Sequence, residues 1–176
     1  LVRSRGLGDV YKRQIPLSAT AKKVYAVEKD DRLIRLLETE LVLHKADNVT
    51  LLHQNVLSVN IPAIAATEKA RLLAFGNLPY NISSQILIKL IENRRHISRC
   101  ILMFQKELAE RLTAKAGKKA YGRLSVMLQY CSEIRPLATV KANLFYPKPK
   151  IDSEIIEINF SKPSPYEAAN EAFFFS

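Results

Sequence analysis

Leu72-Leu73-Ala74-Phe75-Gly76-Asn77-Leu78-Pro79-Tyr80 decides how this chain is read. The apolar run behind Arg71 has the length of a buried strand, so a strand is expected over Arg71 to Phe75. Asn77 and Pro79 then break it, and a polar turn at the carboxyl end of a strand is where open α/β sheets bind ligands. The side-chain oxygen of Asn77 and the carbonyl of Leu78 are acceptors that can take both hydrogens of an exocyclic amine. Tyr80 adds a ring face for a planar group to stack on. Together they suit a nucleobase, although Asn and Pro also end strands that bind nothing.

On either side of this stretch, apolar β-rich runs alternate with helical patterns. Val24-Tyr25-Ala26-Val27 predicts a strand, and Asp31 to Lys45 a helix with Leu33, Leu36, Leu37 and Leu41 on one face. Val49 to Leu52 predicts a strand and Ile61 to Lys69 a short helix. Beyond the central turn come a helix over Ser83 to Glu92, a strand over Ile101 to Phe104, and helices over Lys106 to Ala116 and Gly122 to Cys131. Strands near Ile134 to Val140 and Glu154 to Phe160 close the pattern. Such alternation predicts an α/β fold, a mostly parallel sheet with helices on both faces.

The chain has 176 residues, suited to one domain, and 48% of them are hydrophobic, enough for a substantial core. A formal charge of +10 points to a polyanionic partner, because Lys and Arg displace counterions from phosphates. Lys115 to Lys119 with Arg111 and Arg123 is either a solvated helix end or an RNA-facing patch. Cys100 and Cys131 lie in apolar settings without metal-ligand spacing and read as reduced core thiols. His44, His53 and His96 show neither triad nor metal spacing, so no metal site is expected. No apolar run is long enough to span a bilayer, and a cytoplasmic protein without a membrane partner is expected.

Three further positions carry chemistry. Glu28 ends the first expected strand, where an acid either grips both hydroxyls of a cofactor ribose or caps the next helix, a task Asp30 or Asp31 could perform instead. Asn55 follows the second strand; a turn residue is the simpler reading, a hydrogen bond to an adenine edge the other. Phe145-Tyr146-Pro147-Lys148-Pro149-Lys150 is an aromatic pair in a Pro-stiffened basic loop. Phe145 could form the second wall of a base sandwich opposite Tyr80, with Lys148 and Lys150 meeting phosphates, or the segment could simply connect two strands.

Gly76-Asn77-Leu78-Pro79-Tyr80-Asn81-Ile82-Ser83, Phe104-Gln105-Lys106-Glu107, Ala120-Tyr121-Gly122-Arg123-Leu124-Ser125-Val126 and Phe145 through Pro147 to Asp152-Ser153 stand in this order. With them, residues 15 to 160 resemble the ribosomal RNA adenine N6,N6-dimethyltransferases, most closely the bacterial small-subunit group. The macrolide-resistance methyltransferases of large-subunit RNA share the Asn-X-Pro-Tyr turn, but Phe145 to Ser153 looks more like the small-subunit group. The resemblance implies a Rossmann-like methyltransferase sheet, S-adenosyl-L-methionine as methyl donor, and ribosomal RNA of the small subunit as partner, with the protein acting as a monomer. It implies that Glu28 holds the cofactor ribose and that Asn55 stands where the family usually has Asp beside the cofactor adenine. Asn77 would lie between cofactor and target amine, Leu78 would offer its carbonyl, Tyr80 would stack on the target adenine and Phe145 would pack on its other face.

The ends depart from that family. Its glycine-rich cofactor loop should follow a first strand before Glu28, yet Leu1 to Gln14 matches nothing expected there, and Gly6-Leu7-Gly8 is a weak imitation. Residues 1–14 are therefore expected to be foreign to the catalytic domain of residues 15–160, with the first strand missing. Residues 161–176 are expected to begin a truncated C-terminal region, the family's helical domain being absent. Weak cofactor binding and low activity are expected of such a chain. Two other classes remain open: a non-catalytic RNA-binding module of ribosome assembly, and a methyltransferase acting on a DNA adenine or a protein glutamine.

Overall fold

Burial explains the first βα unit. The computed structural model describes residues 16–146, 148–162 and 168–175, so the expectations for residues 1–14, for Pro147 and for part of the C-terminal region lie outside the described residues. Strand β1 (Val24–Glu28) is buried at Val24, Ala26, Val27 and Glu28, a near-continuous burial typical of a parallel strand covered on both faces. Helix α1 (Asp31–Leu43) starts where Asp30 accepts from the Arg32 amide and seats Ile34 and Leu37 inward. It stops before the expected Lys45, because the His44 amide closes on Glu40 and Lys45 takes a left-handed φ of 50°. Strand β2 (Val49–His53) pairs with β1 in parallel from Val24 opposite Val49 to Glu28 opposite His53.

Helix α2 (Ile61–Glu68), capped by Asn60 on the Ala63 amide, leads into β3 (Leu72–Asn77). Helix α3 (Ser83–Glu92) and strand β4 (Ile97–Gln105) follow, then α4 (Lys106–Thr113), α5 (Arg123–Cys131), β5 (Glu133–Val140), β6 (Ser153–Asn159) and α6 (Glu171–Phe175). Strand β4 runs four residues further back than Ile101, and α4 ends short of Ala116, where Ala114 turns extended at φ −61° and ψ 139°.

The ladders form a parallel pair, β1 with β2, and a four-stranded group in the order β3-β4-β6-β5. Within that group β3 and β4 run parallel, whereas β6 is antiparallel to both β4 and β5. The expected mostly parallel sheet is present, with β6 the strand that runs against its neighbours. The β5 to β6 link, residues 141–152, carries only a three-residue turn at Ala142–Leu144, and a parallel return needs a longer crossover, usually helical.

Lys23 and Tyr25 of the β1 side and Arg71 and Leu73 of the β3 side line one cavity of about 390 Å³. Their starts therefore lie at the same edge, and Glu28 and Asn77 finish their strands at the opposite one. The core is centred on β4, with Cys100, Leu102 and Phe104 packed among Leu87 and Ile91 of α3, Leu128 of α5 and Ile156 of β6. Both cysteines are free thiols, and burial pushes Cys100 up to about 12 and Cys131 up to about 11. No helix among the described residues is long and apolar enough to cross a membrane.

Candidate functional site

Asn77 is the last residue of β3, not the first beyond it, and pairs with Met103 of β4. It is buried, side-chain oxygen included. The Leu78 amide then donates to the Met103 carbonyl at 3.3 Å, and the strand ends two residues later than the expected Phe75. Gly76 makes the turn tight. A Cβ there would stand 3.0 Å from Leu78 Cδ2, tighter than nearly all real contacts, with Leu102 Cδ2 at an ordinary 3.4 Å. Leu78 folds back into the core at 2% exposure.

Tyr80 is held twice. Its carbonyl accepts from Ser83 Oγ at 3.0 Å at the start of α3, and its phenol oxygen lies 3.0 Å from Ser153 Oγ at the start of β6. Ser83 and Ser153 are both buried.

The Phe145 loop follows the end of β5, where Val140, like Gln105 of β4, stands opposite Ser153. Phe145 is half-buried behind the turn Ala142–Leu144 and donates its amide to the Ala142 carbonyl. Asp152 organises this loop: Oδ1 accepts from the Ala142 amide at 2.9 Å, Oδ2 from Lys141 Nζ at 3.0 Å, and its carbonyl from the Lys106 amide at 3.0 Å. The Ala142 amide, and after it the Lys141 ammonium, hold the Asp152 carboxyl below its ordinary value. A depressed carboxyl holds its contact above the unfolded-state value and loses it as pH falls through the lower folded-state value. The Ala142 amide resonance is expected to titrate with a midpoint below the ordinary aspartate pKa, and Asp152→Asn to abolish that titration. A midpoint at or above the ordinary value would contradict the tether.

On the β1–β2 side, Glu28 is 5% exposed and its Oε1 accepts from the Lys29 and Asp30 amides at 2.6 and 3.0 Å. Asp30 does the capping of α1, so Glu28 is not the helix cap; its carboxylate is held at the strand end by those two amides. Asn55 caps a short turn, its Oδ1 accepting from the Leu57 amide at 3.1 Å. The turn reading of Asn55 is thus what the structure records, and the group it can add for a ligand is its amide N–H₂, a donor.

Lys115, Lys118, Lys119, Arg111 and Arg123 are all exposed, but Glu107 and Glu110 share a depression with Arg111 and Lys119, so the patch is of mixed charge. His53 binds Asp31 and His44 sits beside Glu40. No group of three His, Cys, Asp or Glu residues able to hold a metal occurs among the described residues.

The family model described as ribosomal RNA adenine dimethylase matches residues 14–176. The chain belongs to this family. "Ribosomal RNA small subunit methyltransferase A" of Desulforapulum autotrophicum is 46% identical over 97% of this chain and 58% of its own length. The protein of the same name from a Geobacillus strain is 38% identical over 90% of the chain and 55% of its own. Among solved structures, a dimethyladenosine transferase from Plasmodium falciparum superposes with a TM-score of 0.74 at 29% identity, over 82% of this chain and 50% of that one. The 23S rRNA methyltransferase ErmE gives 0.73 at 27% identity, over 87% and 58%. The chain spans a little over half the length of these curated relatives.

Within the dimethylase family reading, the fold is the mixed α/β sheet of these RNA methyltransferases. The sequence singled out Asn77, Leu78, Tyr80, Phe145, Glu28 and Asn55, all of which the structure describes. It gave no role to Ser83, Asp152 or Ser153, whose hydrogen bonds hold the two aromatic segments. Ser83 carried a signal, since Ser at a helix start commonly bonds backbone, but the partner of Ser153 is 73 residues distant.

Proposed function

We propose that this chain is the catalytic portion of an enzyme that transfers methyl groups from S-adenosyl-L-methionine to the N6 amine of adenosines in small-subunit ribosomal RNA. The observation that carries the reading is the Asn77–Tyr80 turn: a buried carboxamide beside the Leu78 backbone carbonyl, followed by a tyrosine fastened at both ends. The relatives named for the small subunit favour that RNA over the large-subunit substrate of ErmE.

The described residues fit the nucleoside end of the cofactor. Glu28 offers a fixed carboxylate for ribose hydroxyls, and Asn55 an amide N–H for an acceptor nitrogen of the adenine. None of the described glycines, Gly76, Gly117 and Gly122, lies before Glu28 to cradle the amino-acid end. The cofactor supplies a methyl group on a sulfonium, already an excellent leaving group.

The protein's task is to prepare the nucleophile. An adenine amine is a poor one because its lone pair is delocalised into the ring. Asn77 Oδ1 and the Leu78 carbonyl accept its two N–H bonds, which favours a pyramidal nitrogen whose lone pair points at the methyl group. Tyr80 and Phe145 hold the base plane between them. A cofactor held by Glu28 and Asn55 would supply its methyl to that nitrogen, its sulfur keeping the bonding pair, and the amine's proton would leave to solvent. The target base has to be unpaired or flipped out to reach this turn, and the net charge of +10 suits its phosphates.

The test is transfer of a labelled methyl to a short single-stranded RNA with two adjacent adenosines. Methylation at N6, twice per adenosine, supports the proposal. A folded chain that binds the RNA and transfers nothing would leave the non-catalytic RNA-binding reading in its place.

A further inference from the structure

The two aromatic segments proposed to sandwich the target base are fastened to adjacent residues of one strand. Ser153, fully buried at the first position of β6, meets the Tyr80 phenol at 3.0 Å. Asp152, the residue before it, holds the turn that precedes Phe145 through the Ala142 amide and Lys141. Its carbonyl also takes the Lys106 amide, tying the pair to the end of β4, where Gln105 stands opposite Ser153. Strand β6 is hydrogen-bonded on both edges at this point, Ser153 also pairing with Val140 of β5. The anchor thus sits on a strand paired on both edges, while Tyr80 and Phe145 stand on separate loops.

We infer that Ser153 is a positioning residue for methyl transfer, acting through Tyr80: its hydroxyl fixes the tilt of the ring that the target base stacks on, and Asp152 sets the opposing segment to the same reference. This rests on the reading of the Asn77–Tyr80 turn as an adenine site. A ring attached only through its Cα–Cβ and Cβ–Cγ bonds turns about both. A hydrogen bond at the phenol tip restrains both rotations, and Ser83 on the Tyr80 carbonyl restrains the backbone below them. The hydroxyl of Tyr80 is therefore used for alignment, and the ring face for binding. Loss of the anchor leaves the face available for stacking but lets the base wander relative to Asn77, which affects the rate more than the affinity.

The experiment is a double-mutant cycle of Ser153→Ala and Tyr80→Phe, each of which removes the same hydrogen bond from one side. Methyl transfer to the two-adenosine RNA is read alongside ¹³C ring resonances of Tyr80. Each single variant is expected to lower kcat about tenfold with KM within about twofold, and the double variant to fall no further than the worse single one. The Tyr80 ring signals are expected to shift and average in Ser153→Ala, with the other tyrosines unchanged. Unaltered kcat in Ser153→Ala, or losses that multiply in the double variant, would overturn the inference while leaving the proposed function standing. If Ser153→Ala does not fold, Tyr80→Phe decides alone, an unchanged kcat counting against the anchor. Should the folded wild-type chain transfer no methyl, the proposed function fails, and an unshifted Tyr80 signal in Ser153→Ala then overturns the anchor as well.

Discussion

Asn77→Ala is expected to lower the rate of methyl transfer by roughly 10²–10³-fold, the loss found when one preorganised hydrogen-bond partner of a reacting group is removed. The residue ends β3 opposite Met103 of β4 and is 3% exposed, so its carboxamide is packed into the strand end. Without it the amine keeps one acceptor, the Leu78 carbonyl, and no longer has both N–H bonds directed away from the incoming methyl. Stacking on Tyr80 is untouched, so KM for the RNA should change far less than kcat. Single-turnover transfer and thermal unfolding measured on the same preparation separate this from misfolding. A variant that keeps more than about a third of the wild-type rate would remove Asn77 from the proposed chemistry.

The largest effect on stability is expected at Phe104. It lies fully buried in β4, two residues before the helix whose first amide meets Asp152, and packs within the central cluster. Phe104→Ala should cost about 3–5 kcal/mol, since the cavity left in a sheet paired on both sides cannot collapse. Against a total of about 5–15 kcal/mol for a domain, this leaves the fold marginal or lost. Phe104→Leu should cost less than about 1.5 kcal/mol if the neighbours repack. Denaturant midpoints of the two variants check this. Near-equal midpoints for Ala and wild type would mean that β4 is not the centre of the core.

The sequence made the local elements legible because their signals are short-range. Asp30 before an amphipathic repeat marks a helix start, and Leu72 to Phe75 is apolar at strand length whatever surrounds it. Boundaries moved where a tertiary bond overrode composition: β3 runs on to Asn77 because Met103 accepts the next amide. Strand direction was not legible either. Nothing in Glu154 to Phe160 says that it returns antiparallel to β4, which follows from the short 141–152 link and the partners it finds.

What the sequence alone determined is the chemical inventory and its order along the chain: the Asn77–Tyr80 turn behind an apolar strand, the Phe145 to Ser153 segment, a strand-end carboxylate at Glu28, and four motifs that together resemble one family. These are readable because side-chain chemistry and periodicity travel with the residues themselves. Only the tertiary structure decided that Asp30 and not Glu28 caps the first helix, that Asn55 caps a turn, and that Ser153 reaches Tyr80 across 73 positions. The physical reason is that a hydrogen bond depends on distance and angle in space, and sheet pairing, not sequence separation, brings the two partners to 3.0 Å.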